Sequence, residues 1–174
     1  AYSTDAFLDT LDVPAGLTLA VMVDAKALLG CGLAPAAAVD ALFPPRDSSR
    51  VEWVRIAAHL GEIERCRPLA ARLRELGYRV GLNMMQAAGK PTGRITALAR
   101  EVASWDAVAV LYFADSFGSM DGAEVARVVD ALGAGWNGAI GIHTHNNKSL
   151  AVQNTLAAIA HGVSFLDATV TGMG

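Results

Sequence analysis

The chain has 174 residues, 53% of them hydrophobic and 18% charged, with a formal net charge of −3. This predicts one sizeable buried core, excludes a disordered chain, and offers nothing that attracts nucleic acid or an anionic membrane surface. No apolar run reaches the ~20 residues of a membrane span, the amino terminus lacks a basic start and apolar core, and Cys31 and Cys66 are too few for a disulfide framework, so a reducing, cytoplasmic setting is the expectation.

Taken in order, Thr4 to Leu11 reads as a short helix and Pro14-Ala15-Gly16 as the turn after it. Leu17 to Val23 is a continuous apolar run, the pattern of a strand buried on both faces. Pro35 suits the first turn of an alanine-rich helix that ends before Pro44-Pro45. Val51 to Ala58 is the next strand, with His59 at its end. Ile63, Cys66, Ala70, Leu73 and Leu76 recur at helical spacing up to Gly77. Arg79 to Met85 is a third strand. Thr92 is placed to cap a helix carrying Ile95, Leu98, Ala99 and Val102. Ala107 to Ala114 is a fourth strand, and Asp121 is placed to cap a helix with Val125, Val128, Val129 and Leu132 inward. A fifth strand ends at His143. A helical pattern from Lys148 to His161 carries Val152, Leu156 and Ile159, and Val163 to Val170 is a sixth strand.

Strands and helices alternate throughout, with strand ends about 26–36 residues apart, which predicts an α/β fold with a parallel sheet. A doubly wound sheet and a TIM (β/α)8 barrel both fit that order. No Gly-x-Gly-x-x-Gly follows the first strand, and polar residues gather at strand carboxyl ends: His59, Asn83, Asp115 with Ser116, His143 with His145, and Thr169 with Thr171. In a barrel those ends converge on one site, so the barrel is preferred, with six of its eight units in this chain. A barrel short of two strands has two unpaired edges.

The sharpest local signal is His143-Thr144-His145-Asn146-Asn147. Side chains two apart on a strand share a face, so both imidazoles can reach one metal ion; two surface histidines in a polar loop would leave the same short pattern. The flanks add to it. His143-Thr144-His145-Asn146-Asn147 with Ser149 to Ala158 resembles the seventh strand and helix of HMG-CoA-lyase-like aldolases, the DRE-TIM metallolyases. Phe165 to Gly174 resembles the eighth strand and its glycine-rich loop. Tyr112 to Gly118, Gly81 to Gln86 and Arg55 to His59 are similar to the sixth, fifth and fourth strands. The likeness is greatest to 4-hydroxy-2-oxovalerate aldolase-type pyruvate aldolases and covers about residues 17 to 174.

That resemblance implies a partial barrel, strands 3 to 8, forming a single domain over residues 1–174 of what is expected to be a longer protein. It implies His143 and His145 as metal ligands, with a third ligand, an aspartate of the family's first strand, outside this chain. The expected cation is Mn2+ or Mg2+, with Zn2+ less favoured. The implied chemistry is retro-aldol cleavage of a 4-hydroxy-2-oxo acid to pyruvate and an aldehyde through a metal-stabilised enolate. Condensation of acetyl-CoA with a 2-oxo acid, and a non-catalytic barrel domain, are the alternatives. His59 is a candidate proton relay and Asp115 a candidate orienting carboxylate for a histidine or a metal-bound water. Asn83, Ser116, Asn147 and Thr169 are candidate substrate contacts, with Ser116 donating to the substrate carboxylate. Asp167 is expected to anchor a basic group instead of binding the metal. A small 2-oxo acid is the expected partner, and the open barrel makes association with a second copy plausible.

Overall fold

The structure, a computed structural model, describes residues 4–169. Its elements run α1 (Thr4–Leu8), β1 (Ala20–Asp24), α2 (Ala25–Gly30), α3 (Pro35–Asp40), β2 (Trp53–His59), α4 (Arg67–Glu75), β3 (Arg79–Met85), α5 (Thr92–Ala103), β4 (Val110–Asp115), α6 (Gly122–Gly133), β5 (Ala139–Thr144), α7 (Ala151–Ala160) and β6 (Phe165–Leu166).

The strand order decides the architecture. The six strands form one sheet in the order β1-β2-β3-β4-β5-β6, and every neighbouring pair is parallel. A doubly wound sheet reverses its order at a switch point; a barrel never does. The fold is therefore an open arc of a TIM barrel.

Alternation sorts the side chains. On β2, Val54, Ile56 and Ala58 are fully buried, whereas Trp53, Arg55 and His59 on the opposite face are half-buried. The buried set continues through Leu82, Met84, Leu111, Phe113, Ile140 and Ile142 and meets Leu69 and Leu73 of α4, Ile95 and Leu98 of α5, and Val125, Val128 and Leu132 of α6. The main core thus lies between sheet and helices, and the other face of the sheet is the barrel interior. Each strand interior is made of residues that suit a half-buried pleat, and burial of a large apolar side chain contributes about 1.5–3 kcal/mol.

Several local expectations need correction. β1 starts three residues later than expected and alternates exposed with half-buried positions, because it pairs only with β2 and forms the edge of the sheet. α2 was not legible in the apolar pattern; Asp24 starts it, its carboxylate accepting from the N–H of Lys26. The stretch from Ile63 opens as a 3-10 turn and becomes α-helical at Arg67, next to Pro68, whose missing N–H is harmless only in a first turn. Thr92 is the first residue of α5, not its cap, which is Pro91. Asp121 caps α6 as expected, accepting from the N–H of Glu124 at 2.9 Å. The stripe Val152, Leu156 and Ile159 on α7 is exposed, and the helix buries Asn154 and Ala158 instead. β6 is only two residues long; Val170, Thr171 and the glycine-rich ending lie outside the described residues.

Candidate active site

All six strands end on one rim, and the polar residues collect there. β5 carries His143 at its carboxyl end and runs on towards His145. The two rings have centroids 5.0 Å apart and planes at 75°, so both imidazoles serve one small volume. Gly141, two residues earlier on the same face, leaves room for a ring: a Cβ there would overlap the Tyr112 ring of β4.

Asp167, one residue beyond β6, reaches this pair. Its Oδ2 lies 2.6 Å from His143 Nδ1. Arg55 of β2 holds both carboxylate oxygens, Nη1 to Oδ1 at 2.9 Å and Nη2 to Oδ2 at 2.8 Å. The Arg55 guanidinium in turn lies 4.4 Å from the centroid of the Tyr112 ring. The expectation that Asp167 anchors a basic group is met by Arg55. Burial pushes the Asp167 carboxyl up, but its hydrogen bonds to His143 and Arg55 outweigh that and hold it below the ordinary carboxylate value. Burial likewise raises the Tyr112 phenol, with Arg55 opposing.

This clamp borders two cavities. One at the rim, of about 750 Å³, opens between the ends of β5 and β6 and α7 and is lined by His143, Thr144, Thr155, Leu166 and Thr169. The lower one, of about 510 Å³, lies on the interior face and is lined by Trp53, Arg79, Gly81, Tyr112 and Phe165. Arg55 and Asp167 line both. The lower space is aromatic, with Arg79 stacked 4.1 Å from the Trp53 ring centroid.

The other candidate residues divide into two groups. His59 ends β2 half-buried on the interior face, with its backbone N–H donating to Glu62 Oε2 at 3.0 Å. Three strand spacings, about 14 Å along the sheet, separate its strand from that of His143, too far for the two to share one ion. Asn83 lies on the interior face between Ala57 and Tyr112, buried, and its Oδ1 has no partner among the described residues. Ser116 Oγ accepts from the Gln86 N–H at 3.0 Å, which leaves its own O–H to donate. Thr169 stands exposed beside the rim cavity.

Asp115 and Asn147 stand where β4 and β5 run into their loops. Asp115 is fully buried, and its oxygens accept the N–H groups of Ser119 at 2.8 Å and Met120 at 3.1 Å. Asn147 is exposed, and its neighbour Asn146 accepts the N–H of Ala151, the first residue of α7, through Oδ1. The two loops touch at Gly118, whose φ is +56° and where a Cβ would stand 2.8 Å from Asn147 N. Lys148 Nζ adds a bond to Ser119 O at 3.0 Å.

His143 and His145 could together hold part of a cation's ligand shell. The donor chemistry fits: Asp167 occupies Nδ1 of His143 and leaves Nε2 available. No group of three or more His, Cys, Asp or Glu residues that could hold a metal ion occurs among the described residues.

Sequence reasoning missed the Arg55–Asp167–His143 contact as part of the site. Its signal was available: an arginine at an interior position two and four residues from Ala57 and His59 needs a buried acid to face it.

The HMGL-like family model matches residues 51–174, well over half of the chain. The chain belongs to the HMGL-like family. A 4-hydroxy-2-oxovalerate aldolase of Geobacillus thermodenitrificans is 36% identical over 124 residues, 71% of this chain and 36% of that protein. An oxaloacetate decarboxylase of Mycobacterium tuberculosis is 31% identical over 134 residues, 71% of this chain and 37% of that protein. The HMGL-like chain thus spans about a third of the length of the curated relatives it matches. In fold, the Bacillus subtilis HMG-CoA lyase superposes with a TM-score of 0.75 at 15% identity, covering 94% of this HMGL-like chain and 57% of that one. Among the described residues no helix is long and apolar enough to cross a membrane.

Proposed function

We propose that this chain is the histidine-bearing part of a divalent-metal-dependent carbon–carbon lyase that cleaves a 4-hydroxy-2-oxo acid to pyruvate and an aldehyde. The observation that carries the reading is the His143–His145 pair on one face of β5, with His143 Nδ1 engaged by Asp167. The 36% identity to a 4-hydroxy-2-oxovalerate aldolase supports the substrate class.

A cation such as Mn2+ or Mg2+ bound there, with imidazole ligands favouring Mn2+, would supply Lewis-acid stabilisation of the charge that develops on the keto oxygen. The chain's residues do the rest. In retro-aldol cleavage the C4 hydroxyl loses its proton, the C3–C4 bond breaks, and its electron pair passes into the pyruvate enolate, which then takes a proton at C3. In this reading His59, on the same rim as His143, is the imidazole assigned to hold and return that proton. Ser116 O–H is free to donate to the substrate carboxylate. The unpartnered Oδ1 of Asn83 is suited to accept from a substrate hydroxyl or a water.

Decarboxylation of a 2-oxo diacid is a second reading, favoured by the 31% identity to an oxaloacetate decarboxylase. It would release the same pyruvate enolate. The test for both is exchange of pyruvate methyl protons in D2O, followed by proton NMR on the full-length protein with Mn2+ and then chelator. Metal-dependent exchange that disappears in His143→Ala supports enolate chemistry. Substrate panels of hydroxy-oxo acids and oxo diacids then separate the two. No exchange in a protein that binds Mn2+ would redirect the reading to acetyl-CoA condensation.

A further inference from the structure

Asp167 is the carboxylate that touches the histidine pair among the described residues, and it is held from the other side. Arg55 donates to both of its oxygens, Arg55 lies on the Tyr112 ring, and that ring lies over Gly141, two residues before His143. The contacts close a circuit that begins and ends on β5. A circuit of this kind fixes both the place and the direction of the carboxylate.

We propose that Asp167 is a positioning residue that sets the tautomer of His143. Neutral imidazole carries one proton, on Nδ1 or on Nε2. A carboxylate 2.6 Å from Nδ1 accepts a hydrogen bond there, so the proton resides on Nδ1 and the lone pair is left on Nε2. Arg55 could not replace the carboxylate, because a guanidinium only donates. The assignment rests on the proposed function only in naming a cation as what the Nε2 lone pair serves.

The chemistry makes Asp167→Leu the probe. An amide would not serve, because its carbonyl oxygen at the Oδ2 position could still accept from both Arg55 Nη2 and His143 Nδ1. Leucine is of similar size and offers Nδ1 no acceptor. The preference for a proton on Nδ1 is then lost, and the Nε2 lone pair is no longer held for the cation.

The experiment uses full-length protein labelled with 15N-histidine and long-range proton–nitrogen spectra without metal. Mn2+ affinity is measured separately by electron paramagnetic resonance. The wild type should show His143 protonated at Nδ1. Asp167→Leu should lose the Nδ1 preference, with His143 protonated mainly at Nε2, and should bind Mn2+ about 10- to 100-fold more weakly. An unchanged tautomer in folded Asp167→Leu would overturn the proposal, and so would a switched tautomer with unaltered Mn2+ affinity. Should Asp167→Leu not fold, Asp167→Glu provides the second reading: an acid should keep the Nδ1 proton, and its loss there would overturn the proposal. A wild type that neither binds Mn2+ nor exchanges pyruvate protons would remove the lyase reading, while the spectra still decide the assignment of Asp167.

Discussion

The Tyr112 ring lies directly over Gly141, filling the space where any larger residue on β5 would place its Cβ. The same ring carries the Arg55 guanidinium, so one glycine sets the height of the clamp that holds Asp167. Gly141→Ala should displace the ring and cost about 2–3 kcal/mol of stability, as overpacking of a tight interior does. Urea unfolding midpoints measure this. Gly138→Ala is a useful contrast, since the nearest atoms its added methyl would meet belong to the Trp136 ring, outside the site.

Gly118 is a second close approach. Its positive φ and the nearness of Asn147 N mean that alanine is both strained and crowded. Gly118→Ala should push the β5–α7 loop away, lowering stability by about 1–3 kcal/mol and weakening any ligand held by His145. Chemical-shift changes confined to His145 and its neighbours, with His59 unmoved, would check the direction.

Glu124 gives a pH dependence. The Arg127 hydrogen bonds lower its pKa, burial opposes them, and the Gly89 N–H helps, so the folded value lies below the ordinary 4.5. A carboxyl depressed on folding stabilises above its unfolded pKa, and that contribution disappears as pH falls through the lowered folded value. The wild type should therefore lose Tm on acidification below about 4.5 more steeply than Glu124→Gln. Parallel melting curves for the two proteins across that range would contradict this.

The two cysteines should differ. Cys66 is fully buried, and burial, assisted by Glu62, pushes its thiol up to about 12. Cys31 is exposed. Reaction with a thiol reagent at pH 8 should modify Cys31 in the native protein and leave Cys66 untouched until denaturant is added. Peptide mapping after brief labelling reads this directly.

The sequence made legible those features that a single period controls. β3 falls where expected, Arg79 to Met85, because an apolar run is bracketed by Gly77 and a polar turn. The shared face of His143 and His145 follows from strand alternation. Asp121 as the cap of α6 follows from short-range chemistry. What a period cannot say is which apolar stripe finds a neighbour. Val152, Leu156 and Ile159 have the spacing of a buried face, yet α7 turns Asn154 and Ala158 to the core, and Ala157 packs close to Gly122 of α6. The clamp was equally hidden, because Arg55 and Asp167 are 112 positions apart and meet only when the arc curves.

The sequential strand order has a consequence for how the molecule opens. Within the described arc each β-α unit leans on the units before and after it, so a disturbance passes through the units one at a time. Amide exchange should therefore be graded: slowest in β3 and β4, whose neighbours are themselves paired on both sides, and fastest in β1 and the two-residue β6. The histidine strand lies one step from the less protected end, and Asp167 lies just past it. Within the described arc, opening at β6 alone would part the Asp167 carboxylate from His143 while the sheet from β1 to β5 keeps its pairing.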